Sequence, residues 1–172
     1  MKAFTRWSIV ASSVFLFGAS AFAQGKDGSG RNDSLRGIPY FIKTGEGTGG
    51  IKLGQSTIAD VEKLFGKGKV KAEKSKTINK LFTFKTVFYK KRGLKFFALD
   101  ETPNTIYAIE VYANGARTEK DITIGTSTED DVVKAYGDPS YKSADSIDYD
   151  NLGVVFEFDH GVLQRVLLSK KK

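Results

Sequence analysis

The chain has 172 residues, 27 Lys and Arg against 20 Asp and Glu, a formal net charge of +7 and no cysteine. The missing cysteine excludes disulfide staples, thiol catalysis, cysteine-ligated metal and a lipid-bearing cysteine. Charge is divided unevenly: residues 24–100 hold 17 Lys and Arg against 7 Asp and Glu, net +10, while residues 101–172 hold 8 against 13, net −5. Such a dipolar surface speaks against a simple polyanion binder, and nucleic acid is not expected as a partner.

Lys2 and Arg6 lead into an apolar stretch from Trp7 to Phe17, followed by the small-x-small triplet Ala21-Phe22-Ala23. This reads as a signal peptide over 1–23, cleaved to leave Gln24 first. The apolar stretch falls short of the roughly 20 residues that span a bilayer, and no transmembrane segment is expected in the mature chain. The mature protein is expected to be soluble and periplasmic or secreted. Residues 24–50 are rich in Gly, Ser and charge and read as a flexible lead-in. Within it, Ile38-Pro39-Tyr40-Phe41-Ile42 could add an edge strand.

Residues 51–68, IKLGQSTIADVEKLFGKG, and 122–139, ITIGTSTEDDVVKAYGDP, align without a gap at 8 identities in 18 positions. The expected organisation is therefore a first repeat over 51–115 and a second over 116–172. Each opens on a short apolar segment ending in Gly54 or Gly125. A helix then starts at Thr57-x-x-Asp60 or Thr128-x-x-Asp131, which has capping-box spacing with Asp in place of Glu. Val61, Leu64 and Phe65, and Val132, Ala135 and Tyr136, form the expected buried stripes. Gly66 and Gly137 close the helices as left-handed caps.

Strands follow. Phe82, Phe84, Phe88, Leu94 and Phe96 read as core. The opposite face then carries Lys85, Tyr89, Lys95, Phe97, Glu110, Tyr112 and Arg165, and exposed aromatics beside charges suit a recognition surface. The second copy has strands around Ile147 and Tyr149, from Val154 to Phe158 and from Val162 to Ser169. The fold class is α+β: two tandem helix-plus-antiparallel-meander repeats forming one curved sheet with helices on one face.

The I-x-(L/I)-G-x-S-T opening, the D-V-x-K helix, the aromatic-glycine stop and the G-(L/V)-x-F strand resemble the repeats of β-lactamase inhibitory protein. They are also similar to small outer-membrane-assembly lipoproteins. The resemblance covers roughly residues 51–169 and implies the fold; the chain lacks the cysteines of both groups, and no inhibitory contact residue transfers.

Copy one is longer: Gly66 to Gly93 spans 27 positions and Gly137 to Gly153 spans 16. The extra 11 lie in or beside a segment holding Lys67, Lys69, Lys71, Lys74, Lys76 and Lys80. It reads as a lysine-guarded hairpin or as a basic arm toward anionic envelope material. His160, in an Asp-His-Gly turn, reads as a surface turn residue. Asp130, Asp131, Asp145, Asp148 and Asp150 lack the calcium-loop spacing. No catalytic residue, cofactor or metal is expected. The expected function is a non-catalytic binding module for a protein or an anionic envelope glycan. The alternatives are a carboxylate-based hydrolase or lyase on envelope polymers, or a β-lactamase-inhibitor-like protein.

Overall fold

The computed structural model describes residues 40–76, 81–100 and 104–171. The signal segment, most of the lead-in including Ile38 and Pro39, and residues 77–80, 101–103 and 172 lie outside the described residues. The described residues are mainly β-strand with two α-helices, an α+β arrangement. Among the described residues no helix is long and apolar enough to cross a membrane.

The first three strands are short: β1 Phe41–Lys43, β2 Gly47–Thr48 and β3 Ile51–Lys52. With β8 Arg117–Thr118 they form a four-stranded sheet in the order β3-β2-β1-β8. β1 runs antiparallel to β2 and parallel to β8, so Phe41 and Ile42 belong to an inner strand and not to an edge. From Gly45 onward the glycines read as flexibility lie in turns or in β2: Gly45 and Gly47 sit at φ +68° and +144°, which lets the β1–β2 hairpin close. Ile42, fully buried, anchors it, and Glu119 accepts from the Thr44 N–H and hydroxyl at 3.1 and 2.7 Å.

The helices are α1 Ile58–Phe65 and α2 Glu129–Tyr136. Both capping boxes form. The Thr57 and Thr128 N–H groups donate to Asp60 and Asp131 at 2.8 Å, and the Asp60 and Asp131 N–H groups donate back to the threonine hydroxyls at 3.3 Å. The C-termini differ from the expected left-handed cap. Gly66 (φ 80°, ψ −179°) and Gly137 (φ 84°, ψ −159°) combine positive φ with extended ψ, a region essentially reserved for glycine. This conformation turns the chain straight into a strand. Val61 and Val132 are fully buried, whereas Leu64 is 48% exposed: over two turns the inward stripe narrows to Val61 and Phe65.

A second sheet has eight strands in the order β4-β5-β6-β7-β12-β11-β10-β9. These are β4 Lys69–Lys76, β5 Leu81–Tyr89, β6 Leu94–Leu99 and β7 Ile106–Val111. After α2 come β9 Tyr141–Lys142, β10 Ser146–Tyr149, β11 Val154–Asp159 and β12 Val162–Ser169. Every pairing is antiparallel, and β7 meets β12 with Val111 opposite Val166 and Ile109 opposite Leu168. The core residues Phe96, Ile109, Val111, Phe156, Val166 and Leu168 alternate inward along these strands. Rings lock each helix down: Phe65 meets Tyr89 and Phe96 at centroid distances of 5.6 and 5.7 Å, and Tyr136 meets Tyr149 and Phe156 at 5.6 and 5.1 Å.

Two outcomes are expected. The space beside Gly66 and Gly137 is open, so a Cβ there meets only backbone strain. Gly66→Ala and Gly137→Ala should each cost about 1–3 kcal/mol in urea unfolding. The second concerns acid. Asp60 and Asp131 sit below their ordinary 3.8, first because the threonine N–H donates to each, then because the hydroxyl does. A lowered carboxyl stabilises above the unfolded value and loses that contribution as pH falls through the folded one. An Asp60→Asn/Asp131→Asn variant should therefore lose less of its remaining stability than wild type between about pH 4 and pH 2, followed by circular dichroism.

Candidate functional site

Residues that alternate with the core positions of the wide sheet form a strip across four adjacent strands. Lys95 on β6 lies directly opposite Glu110 on β7, and Arg165 on β12 directly opposite Glu157 on β11. Glu110 is the link across the β7–β12 seam: Lys95 Nζ is 3.5 Å from Glu110 Oε2, and Arg165 Nη1 donates to Glu110 Oε1 at 3.1 Å. Arg165 also donates through Nη2 to Glu157. The side chains of Glu110 and Lys95 are only 14% and 22% exposed, so this ladder is a fixed feature of the face. Burial alone would lower the Arg165 guanidinium, but Glu157 and Glu110 outweigh it and hold it above its usual value.

Aromatic rings border the ladder. Lys95 Nζ lies 4.5 Å from the Phe97 ring centroid and 5.2 Å from that of Phe88, and Lys71 Nζ lies 5.5 Å from Phe88. Phe97 also meets Phe84 and Tyr107 at 6.1 and 6.2 Å. Burial, with Glu73 adding to it, pushes the Tyr107 hydroxyl up to about 12. Tyr112 is half-buried, its hydroxyl raised first by burial and then by Glu110. Next to Phe97 in register, the Thr86 hydroxyl is buried, with no hydrogen-bond partner among the described residues.

Of the six residues expected to bind a partner, four gather on or beside this strip: Lys95, Phe97, Tyr112 and Arg165. Two do not. Tyr89 is 7% exposed and its hydroxyl donates to the Gly66 carbonyl at 2.6 Å, so it fastens α1 to the sheet. Lys85 shares the alternation of Val87 and Tyr89 and points away from the strip, bound to Asp100 and Asn104 at 3.0 Å each. The phase of β5 is inverted relative to expectation: Val87 and Tyr89 enter the core, while Phe84 and Phe88 are half-buried on the other face. Apolar and aromatic residues stand at both phases of this strand, so periodicity alone does not choose between them. Phe88, Tyr107 and Glu157 were missed; the Glu157–Arg165 pairing over the last hairpin was the available signal.

The remaining candidates stay apart. His160 is a turn residue at φ +49°, its exposed ring 2.9 Å from Asp159. Among the described residues no three His, Asp or Glu side chains gather to hold a metal. Shallow open grooves of about 370 and 550 Å³ flank α1 and α2. Gln55, Ser56, Asp60 and Lys63 line one; Thr126, Ser127, Asp131 and Lys134 line the other. Asp60 and Asp131 are already committed to the helix caps.

Replacing Arg165 by Met should cost about 1 kcal/mol in urea unfolding at low salt, because Glu110 keeps only Lys95. The guanidinium is 44% exposed, so added salt should shrink the loss.

No family model matches the chain, and no curated protein matches it. Two solved structures are similar at low identity. One is the crystal structure of the uncharacterized protein yfeY from Escherichia coli, with a TM-score of 0.47 and 12% identity, covering 75% of this chain and 99% of that one. The other is a DUF4309 family protein, YjgB, from Bacillus subtilis, with a TM-score of 0.46 and 20% identity, covering 74% of this chain and 88% of that one.

Proposed function

We propose that this chain is a non-catalytic, exported binding module whose open sheet face recognises a protein or envelope-glycan partner. The observation that carries the reading is the ordered strip Lys95–Glu110–Arg165–Glu157 with Phe88 and Phe97 beside it. An ordinary solvated face leaves its long side chains separately in water. Here the charged groups are held in place before any partner arrives, which lowers the ordering cost of binding. Arginine and aromatic side chains are also the residue types that carry most binding energy at interfaces.

The proposal includes the architecture: two copies of one helix-plus-meander unit, over 51–115 and 116–172, build one curved sheet with both helices on one face. Matching interactions support it. Thr57 and Thr128 cap, 71 residues apart; Tyr89 and Tyr149 donate to Gly66 and Gly137 at 2.6 and 2.8 Å, 60 apart. The 11-residue difference matches the lengths of the strands between: 8 and 9 residues for β4 and β5 against 2 and 4 for β9 and β10. The loops agree too, with Gly54 and Gly125 donating to Ile106 and Leu163, each at 2.7 Å.

The test compares partners recovered from an envelope extract by wild type and by a Phe97→Ala/Arg165→Ala variant whose folding is checked by circular dichroism. The variant should lose the partner. Phe41→Ala, an exposed change elsewhere, should retain it. Equal recovery by all three removes the strip as the site.

A further inference from the structure

The wide sheet ends in an unusually open edge. β4 is eight residues long, about 26 Å, and no other strand among the described residues pairs its outer side. Lys69, Val70, Lys71 and Ala72 are all exposed, Val70 at 47%. The opposite edge strand, β9, has two residues.

The direction of the free backbone groups follows from the pairing. The Asp100 N–H donates to the Thr83 carbonyl one step beyond the Phe84–Leu99 pair, so Thr83, Lys85 and Val87 spend their backbone groups on β6. In an antiparallel ladder these directions alternate. Phe84, Thr86 and Phe88 therefore bond to β4, through Glu73, Lys71 and Lys69 opposite them. The N–H and C=O groups of Val70 and Ala72 are left pointing outward. The two side-chain faces of this edge are also distinct. Lys69 and Lys71 lie on the face of Phe88, where Lys71 stands over the ring, and Val70 and Ala72 lie on the other.

We propose that the β4 edge binds an extended acidic polypeptide segment, which adds to the sheet as a ninth strand. Main-chain bonds to Val70 and Ala72 supply the pairing. Acidic residues at alternate positions stand opposite Lys69 and Lys71, with small or apolar residues between them beside Val70 and Ala72. The charges select the occupant. β4 holds four lysines and one glutamate, Glu73, so two β4 strands repel each other as wholes while an acidic strand is drawn in. Lysines that guard this edge against copies of itself thereby admit one class of partner. Lys69 and Lys71 share a sheet face with the Lys95–Arg165 strip, but the outward backbone groups of Val70 and Ala72 are no part of it, and the inference does not rest on the function proposed for the strip.

The probe is a fluorescein-labelled peptide of about ten alternating Glu and Val residues, enough to span β4. Its control has Lys in place of Glu. Fluorescence anisotropy should show binding of the acidic peptide only, weakening as salt rises, and amide exchange should slow at Val70 and Ala72. Ala72→Pro removes one outward N–H and leaves the β5 ladder intact; it should weaken binding at least about tenfold. Lys69→Ser/Lys71→Ser should weaken it and flatten the salt dependence. Phe97→Ala should change nothing, so failure here and failure of the strip as a site read out separately.

The proposal is overturned if wild type does not bind the acidic peptide. It is also overturned if Ala72→Pro binds it as well as wild type, which would leave simple attraction to anions, including anionic glycans. A wild-type dimer in sedimentation that Ala72→Pro abolishes would make a second copy the occupant, and would overturn it too. Should Ala72→Pro misfold, the exchange measurement on wild type decides: unchanged rates at Val70 and Ala72 with peptide present refute strand addition.

Discussion

Eight residues of helix cannot hold themselves in water, and both helices of this chain have that length. Each is therefore fastened at its ends. At the N-terminus a threonine and an aspartate satisfy one another's backbone N–H groups. At the C-terminus a tyrosine from the sheet donates its hydroxyl to the carbonyl of the closing glycine, Tyr89 to Gly66 and Tyr149 to Gly137. That second bond does two jobs. It satisfies a carbonyl left free by the helix end, and it lets a large ring enter the core without burying an unpaired hydroxyl. Burial leaves both tyrosine hydroxyls above their usual value, as expected for groups held as donors. Phe65 and Phe96 pack around Tyr89, and Tyr136 and Phe156 around Tyr149.

The rest of the wide sheet depends on a single seam. β7 and β12 pair antiparallel, burying Val111 against Val166 and Ile109 against Leu168. The same pairing brings Glu110 and Arg165 together on the other face. Core and strip are thus two sides of one ladder: whatever holds the seam also holds the charges in position. A carboxylate as enclosed as Glu110 is costly unless paired, and Lys95 on one side with Arg165 on the other offsets that cost.

The two edges of this sheet are managed differently. One edge strand stops after two residues, which leaves little to pair with. The other runs for eight, and among the described residues no strand covers it, leaving charge to restrict what approaches. Shortening removes an edge, whereas charging it only restricts what can approach.

Local chemistry was legible in the chain by itself. The threonine–aspartate spacing of each helix start and the glycine that ends each helix act over three or four residues, and both helices and their capping boxes stand where those residues put them. The hairpins of β6 with β7 and of β11 with β12 were likewise readable, because their turns and alternation are contiguous. Three things were decided only by tertiary structure. Glycines from 45 onward looked like a flexible lead-in, but Ile42, buried between β2 and β8, makes them part of a small sheet; the partner strand β8 is some 75 residues away. The phase of β5 is not legible locally, because Phe occupies one phase and Leu, Val and Tyr the other, and the Gly66 carbonyl that accepts from the buried Tyr89 is 23 residues distant. The joining of Lys95, Glu110 and Arg165 into one strip required the β7–β12 register, a contact across 55 residues to which no local pattern points. Periodicity tells which residues share a face of one strand; which strand lies next to it, and which face is covered, is settled by burial over the whole chain.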